Sequence, residues 1–316
     1  MKETIHKPVL LEEVLSFLSL KSGYCCIDCT LGGAGYSLAI SQKIGPEGKL
    51  LAIDLDLEAI SRAQEIIKEK KIKNIILESG NFKDIEILAK KQFKENKQVD
   101  AIVADLGLSM DQLKDQFRTF SFNSQAKLNF SYSQQENFGK SLGIINNASV
   151  RELTEILRSY GEERFAGPIA KKIVFIRAKR KIKTGAELKE VIEQAVPRKY
   201  WPKGISVATK SFQALRIVVN NEFQSLEEFL PKAVKILKPG GRLVIVSFHS
   251  LEDRIVKRYF KKVASDCICP KESPICNCNY QPIIKIINKK PITASEKELQ
   301  FNPSSRSAKL RVVEKI

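Results

Sequence analysis

Between Tyr24 and Asp54 the chain reads as a β-α-β unit. Two apolar runs, Tyr24–Cys29 and Lys49–Asp54, are too short for helices and carry the side chains that a sheet buried on both faces needs. They are joined by Asp28-Cys-Thr-Leu-Gly-Gly-Ala-Gly35-Tyr36, a turn of small residues that runs straight into a helix-period segment. The pattern repeats with strands expected at Asn74–Leu77 and Asp100–Asp105, which predicts a parallel sheet of the α/β class. A fifth strand, Arg242–Phe248, comes only after a long gap and is launched from the turn Lys238-Pro-Gly-Gly241. A helix over Leu251–Val263 and strands at Ile283–Ile287 and Ala308–Val313 complete the chain.

The gap has a different character. From Asp111 to Lys210 there are no strand-like runs, but helix periods recur at Val150–Tyr160 and Arg164–Arg180. The expected organisation is therefore a sheet domain over 1–110 and 211–316, interrupted by a mostly helical domain over 111–210. The helix period at Phe212–Phe223 is assigned to the sheet domain. Gln116 to Lys140, polar and aromatic without a period, reads as a loop over a site rather than a core element.

Two features of the first unit point to a nucleoside ligand. The small residues of the turn let backbone approach a ligand closely, and Asp54 ends the second strand where a carboxylate can accept hydrogen bonds from both ribose hydroxyls. The glycines fall at 32, 33 and 35 rather than as Gly-x-Gly-x-x-Gly, and Asp28 precedes the turn. An acid there suits a cationic cofactor without phosphates, S-adenosylmethionine, better than a dinucleotide. Gly80-Asn-Phe82 follows the third strand, with the ring either beside adenine or in the core.

Charge narrows the partner. Lys and Arg number 53 against 36 Asp and Glu, a formal net charge of +17. Twelve of the cations (171, 172, 177, 179, 180, 181, 183, 189, 198, 199, 203 and 210) share the stretch 171–210 with only three Glu. A solvated face is the plain reading; beside a nucleoside-type site, a phosphate-contacting surface that weakens steeply with salt is the preferred one. The amino terminus has no signal-peptide pattern and no segment has the uncharged length of a membrane span, so the expectation is a soluble, cytoplasmic protein. Buried cysteines at 25, 26 and 29 suit a reducing compartment. Cys267-Ile-Cys269 and Cys276-Asn-Cys278 could supply four thiolates to one zinc, although Cys-x-x-Cys is the usual spacing and a disulfide or free thiols are the alternatives.

The blocks His6-Lys-Pro-Val-Leu10, Asp105-Leu-Gly-Leu-Ser109, Gln112-Leu113, Arg118-Thr-Phe-Ser-Phe122, Tyr160-Gly-Glu-Glu-Arg-Phe165, Phe212-Gln-Ala-Leu-Arg-Ile217, Asn220-Asn-Glu222, Ser247-Phe-His-Ser-Leu-Glu-Asp-Arg254 and Asn302-Pro-Ser-Ser-Arg-Ser-Ala-Lys-Leu-Arg311 occur in that order. Together they resemble the bacterial 16S ribosomal RNA cytosine-N4 methyltransferase family (RsmH, formerly MraW). The resemblance implies a Rossmann-like class I methyltransferase sheet with an inserted helical domain. It further implies methyl transfer from S-adenosylmethionine to the exocyclic N4 amine of a cytidine in the decoding centre. The implied partner is 16S rRNA within the small ribosomal subunit, with no DNA and no membrane. By motif position the cofactor contacts fall on Ala34, Gly35, Tyr36, Asp54, Phe82, Asp105 and Gln112.

Catalytic candidates are Asp105, the turn leading to Ser109, and His249. Asp105 orients the cofactor's amino group or the target amine, or else only caps a strand end. His249, just past the fifth strand, is a pocket residue or proton acceptor, or else the cap of the following helix. His6 is read as structural. The loop phenylalanines and Trp201 are candidate stacking platforms for a splayed base. The chain departs from the family pattern at Tyr36, where a histidine is usual, at Asn129, Ser131 and Ser133, where acids and an arginine are usual, and at Lys210. Those departures keep open an alternative: a catalytically impaired, RNA-binding ribosome-assembly factor of the same fold.

Overall fold

The computed structural model describes residues 8–93, 98–108, 125–132, 139–269 and 278–316. The chain divides into two compact units, Met1–Leu108 with Phe223–Ile316, and Ser109–Glu222. In the first unit the described residues form β1 (Cys25–Asp28), β2 (Lys49–Asp54), β3 (Ile75–Ser79), β4 (Val99–Asp105), β5 (Leu237–Ser247), β6 (Ile284–Ile286) and β7 (Lys309–Lys315). These make one sheet in the order β3-β2-β1-β4-β5-β7-β6. The first five strands are parallel, and β7 runs antiparallel between β5 and β6.

All four residues of β1 are buried because helices cover both faces. Alternate side chains divide between those faces. Ile27, Leu51, Ile53 and Ile102 pack with Phe229 and Phe260, whereas Cys26, Leu50, Ala52 and Val103 pack with Leu10, Ile40 and Ile44. Helices α1 (Leu11–Leu18), α2 (Gly35–Ile44) and α3 (Leu57–Glu69) supply the second face. The first face is covered by α4 (Ile85–Phe93), α10 (Glu222–Ile236) and α11 (Ser250–Val263). No helix among the described residues is long and apolar enough to cross a membrane.

The fifth strand begins earlier than its apolar run suggests. Leu237 pairs with Val99 and Arg242 with Ala101, so Lys238-Pro-Gly-Gly241 is an irregularity inside β5 rather than a turn before it. Gly240 takes a φ of 78°, the conformation that lets the extra residues loop out.

The second unit comprises α5 (Lys140–Asn147), α6 (Val150–Gly161), α7 (Ala166–Arg177), α8 (Gly185–Ala195) and α9 (Thr209–Asn220). Capping boxes start α6 at Ser149 with Glu152 and α8 at Thr184 with Glu187. Two expectations are corrected here. The helix expected to return to the sheet domain, α9, packs instead within the helical unit, where Phe212, Leu215 and Val219 share a core with Leu153 and Leu157. Gly161 makes that packing close: a Cβ there would stand 2.5 Å from the Lys210 carbonyl oxygen. The segment expected to be a loop without core contacts contributes buried Leu128 and Phe130, and the Phe130 ring meets Phe212 edge-on at 5.3 Å. An aperiodic stretch hides such contacts because nothing in its spacing marks a buried face.

Candidate active site

The carboxyl ends of β2, β1 and β4 stand side by side. The chain leaves β1 toward β2 and β3 and returns on the other side as β4, so the strand order reverses between β1 and β4. Open α/β sheets place ligands in the crevice at such a reversal. Each of these three strands ends in an aspartate: Asp28, Asp54 and Asp105.

Asp28 is fully buried, with the Ser37 hydroxyl donating to Oδ2 at 2.6 Å and the Thr30 amide to Oδ1 at 3.1 Å. Burial lifts its carboxyl to about 6 against the pull of those bonds. Asp54 accepts the amides of Gly32 and Asp56, both at 2.8 Å, and burial lifts it to about 6 as well. Gly32 reaches Asp54 from a left-handed backbone, φ 47°. Each carboxylate oxygen offers more than one lone pair, so Asp54 retains acceptor capacity beyond these amides.

Asp105 is the exception among the three. Its Oδ1 is buried and accepts no hydrogen bond among the described residues. Burial first, then the negative charges of Asp28 and Glu252, push the carboxyl well above the usual carboxylate range. A buried acceptor without a partner is uncommon in a folded protein and marks a place where a ligand donor fits. The Asp105 amide donates to the Thr30 hydroxyl at 2.7 Å, tying the end of β4 to the turn after β1. Thr30 was missed by sequence reasoning; its only signal is its position two residues past Asp28 in the turn.

The turn itself is tightly seated. Ala34 holds a left-handed φ of 63°, and a Cβ on Gly35 would lie 2.1 Å from Pro8 Cγ. Tyr36, standing where an imidazole is usual in the resembled family, donates its buried hydroxyl to the Val9 carbonyl. The phenol therefore anchors the amino-terminal arm, leaving the Tyr36 backbone for any ligand contact. Phe82 packs edge-on against Phe229 at 5.2 Å while staying half-buried, so one side of the ring is core.

His249 takes the capping alternative. Its Nδ1 accepts the Glu252 amide at 3.3 Å, and the Glu252 carboxylate accepts the amides of Phe248 at 3.0 Å and His249 at 3.4 Å. Its Nε2 stands 3.0 Å from Glu252 Oε1, but not in hydrogen-bond alignment. The Nδ1 lone pair is engaged at the start of α11, which gives His249 a helix-capping role. His6, Ser109, Gln112, Ser133 and Cys276 lie outside the described residues.

In the helical unit the basic cluster is partly structural. Arg177 donates to the carbonyls of Ile145 at 2.7 Å and Ala148 at 2.5 Å, and Lys210 to that of Glu162 at 3.1 Å. Lys171, Lys179, Lys181, Lys183, Lys199 and Lys203 are exposed. Phe175, 55% exposed, lies under the ammonium groups of Lys179 at 4.5 Å and Lys172 at 5.8 Å, which places an aromatic face among cations. Trp201 is half-buried: its indole donates to the Val196 carbonyl at 2.9 Å and its ring packs against the unit's core. Phe130 is core as well. Asn129 and Ser131 are buried, and the Ser131 amide donates to Asn129 Oδ1 at 3.0 Å, so packing within the unit accounts for these two departures.

A model of the MraW methylase family matches residues 3–316. Ribosomal RNA small subunit methyltransferase H of Clostridium botulinum (strain 657 / Type Ba4) is 44% identical over 311 residues, covering 98% of this chain and 99% of that protein. The protein of the same name from Geobacter sp. (strain M21) is 44% identical over 317 residues and covers 100% of both. Among solved structures, a putative methyltransferase of Streptococcus mutans, SMU.1697c, in complex with SAH, superposes with a TM-score of 0.42 at 13% identity, covering 98% of this chain and 99% of that one.

Proposed function

The chain belongs to the MraW methylase family and is a methyltransferase, and from that premise we propose that it methylates the exocyclic N4 amine of a cytidine in 16S ribosomal RNA, with S-adenosylmethionine as donor. The observation that carries this reading is that Asp105 Oδ1, beside two further strand-end carboxyls, has no partner among the described residues. Such a cluster repels phosphates and attracts a cation. The residues fit the donor, which supplies a methyl group activated on a positively charged sulfur and carries donor groups but no phosphate. Asp54 has acceptor capacity for the ribose hydroxyls. Backbone at Ala34, Gly35 and Tyr36, the Phe82 ring and Gln112 are the remaining proposed contacts.

A cytosine amine is a weak nucleophile because its lone pair is delocalised into the ring. The protein's task is alignment, together with acceptance of hydrogen as charge develops on nitrogen. In this reading Asp105 accepts that hydrogen or holds the donor's amino group; both roles would use the Oδ1 acceptor that has no partner among the described residues. The exposed cations and Phe175 of the helical unit are the proposed contacts for the RNA backbone and a base. The small subunit as substrate and the cytoplasm as compartment follow from the same reading.

The test is incubation of the protein with methyl-labelled S-adenosylmethionine and small ribosomal subunits lacking the modification, followed by nucleoside analysis. Label is expected in N4-methylcytidine. RNA binding without label would turn the reading toward an assembly factor, and label on protein or a small molecule would overturn the substrate.

The strand-end acids also set a pH dependence. In the unfolded chain aspartates titrate near 3.9, so raised carboxyls at about 6 contribute stability that is fully present below that value and lost as pH rises through about 6. Donor binding runs the other way, because a cation is best held when the acids are ionised. Lowering pH from 7 to 5.5 is expected to weaken donor binding severalfold. The product, which lacks the sulfonium charge, should be less affected, so binding proton release measured calorimetrically in two buffers should be larger for the donor. Equal proton release for the two ligands would argue against the acids facing the sulfonium.

A further inference from the structure

Three sulfurs converge outside the active site. Cys267, Cys269 and Cys278 lie in the loop between α11 and β6, and their Sγ atoms all fall within 4.8 Å of one another. Cys267 and Cys278 stand 3.8 Å apart, far beyond the ~2.05 Å of a disulfide bond. Two thiolates bound to one zinc at about 2.3 Å with tetrahedral angles lie about 3.8 Å apart, the same separation. Backbone amides point at these sulfurs as well: Cys269 N–H donates to Cys267 Sγ at 3.4 Å, and Ile268 N–H to Cys278 Sγ at 3.5 Å.

The loop's two ends are joined where the Ile283 amide donates to the Val263 carbonyl at 3.0 Å. Ile268 within it is 46% exposed, so this residue does not anchor the loop through apolar burial. A Ser265 turn, with its hydroxyl bonded to the Cys267 carbonyl at 2.7 Å, already orients the first Cys-x-Cys pair.

We propose that Cys267, Cys269 and Cys278 bind a structural zinc ion that pins this loop beside the edge strand β6. An all-sulfur set selects zinc or an iron–sulfur cluster. The single tetrahedral separation favours one zinc. Binding releases the thiol protons and closes the loop, so the metal acts on local stability and not on methyl transfer. Cys276, which completes the second Cys-x-Cys pair, lies outside the described residues and is not needed for the three-sulfur argument.

The test is metal analysis of the full-length, tag-free protein purified without added zinc. About one zinc per chain is expected, retained through dialysis against EDTA and reduced at least about tenfold in both Cys267→Ser and Cys278→Ser. Cobalt-substituted protein should show thiolate-to-cobalt charge-transfer bands that Cys278→Ser abolishes. Stripping the metal with a mercurial reagent, then removing the reagent with excess thiol, should speed proteolysis within 264–282. Three results would overturn the proposal: zinc content unchanged by the serine variants, visible absorption with bound iron, or a disulfide among these cysteines in thiol-trapped protein.

Discussion

Asp105→Asn is expected to leave the fold as stable as before, or more stable by about 1 kcal/mol, while donor binding and methyl transfer fall at least tenfold. Most buried carboxylates would behave differently, because their loss strands a donor. Asp105 Oδ1 has no protein donor among the described residues, so the substitution orphans nothing known. It also removes a carboxyl that burial and the neighbouring charges of Asp28 and Glu252 hold in an unfavourable state. A hydrogen bond to a charged group is worth about 1.5–3 kcal/mol, or roughly 10–150-fold in affinity. Chemical denaturation paired with calorimetry of the donor gives both readouts on one sample. A destabilised variant with normal affinity would reverse the assignment and make Asp105 a structural residue.

Much of this architecture was legible because burial on two faces leaves a plain trace. The apolar runs ending at Asp54 and Asp105 mark β2 and β4 to within a residue, and the position of both acids follows from where those runs stop. What stayed hidden depends on which partner a surface meets. The apolar stripe of α9 has the same period whichever core it enters, and its place in the helical unit rests on long-range packing, such as the close seat of Gly161 against Lys210, that has no local signature. The four residues looping out of β5 look like an ordinary Pro-Gly-Gly turn until their register with Val99 and Ala101 is known. In the site, Asp54 was visible as a strand end, but the bond from the Asp105 amide to Thr30 joins residues 75 apart and has no local signature. His249 could be read either way from its sequence. Its ring and the Glu252 carboxylate satisfy amides that the start of α11 would otherwise leave bare.

Arg311→Met is expected to cost about 3 kcal/mol or more of stability in the sheet unit. Arg311, on β7 opposite Ile245, sends Nε and Nη2 to the two oxygens of Asp253 on α11 at 2.5 and 3.1 Å. Both side chains are buried, so removing one charge leaves the other without compensation in a poorly solvated place. Breaking such a pair from one side typically costs about 3–5 kcal/mol. The Lys309 ammonium, 3.7 Å from Asp253 Oδ2, can take up part of the charge, which puts the expected loss at the lower end. Asp253→Asn should cost less, because the long Arg311 side chain can swing its charge toward water. The double variant Asp253→Asn/Arg311→Met should recover at least half of the Arg311→Met loss, since no lone charge remains. Urea denaturation of the four proteins closes the cycle. Single losses that simply add in the double variant would show that the pair is not what fastens the start of α11, and with it Glu252 and His249, to the sheet.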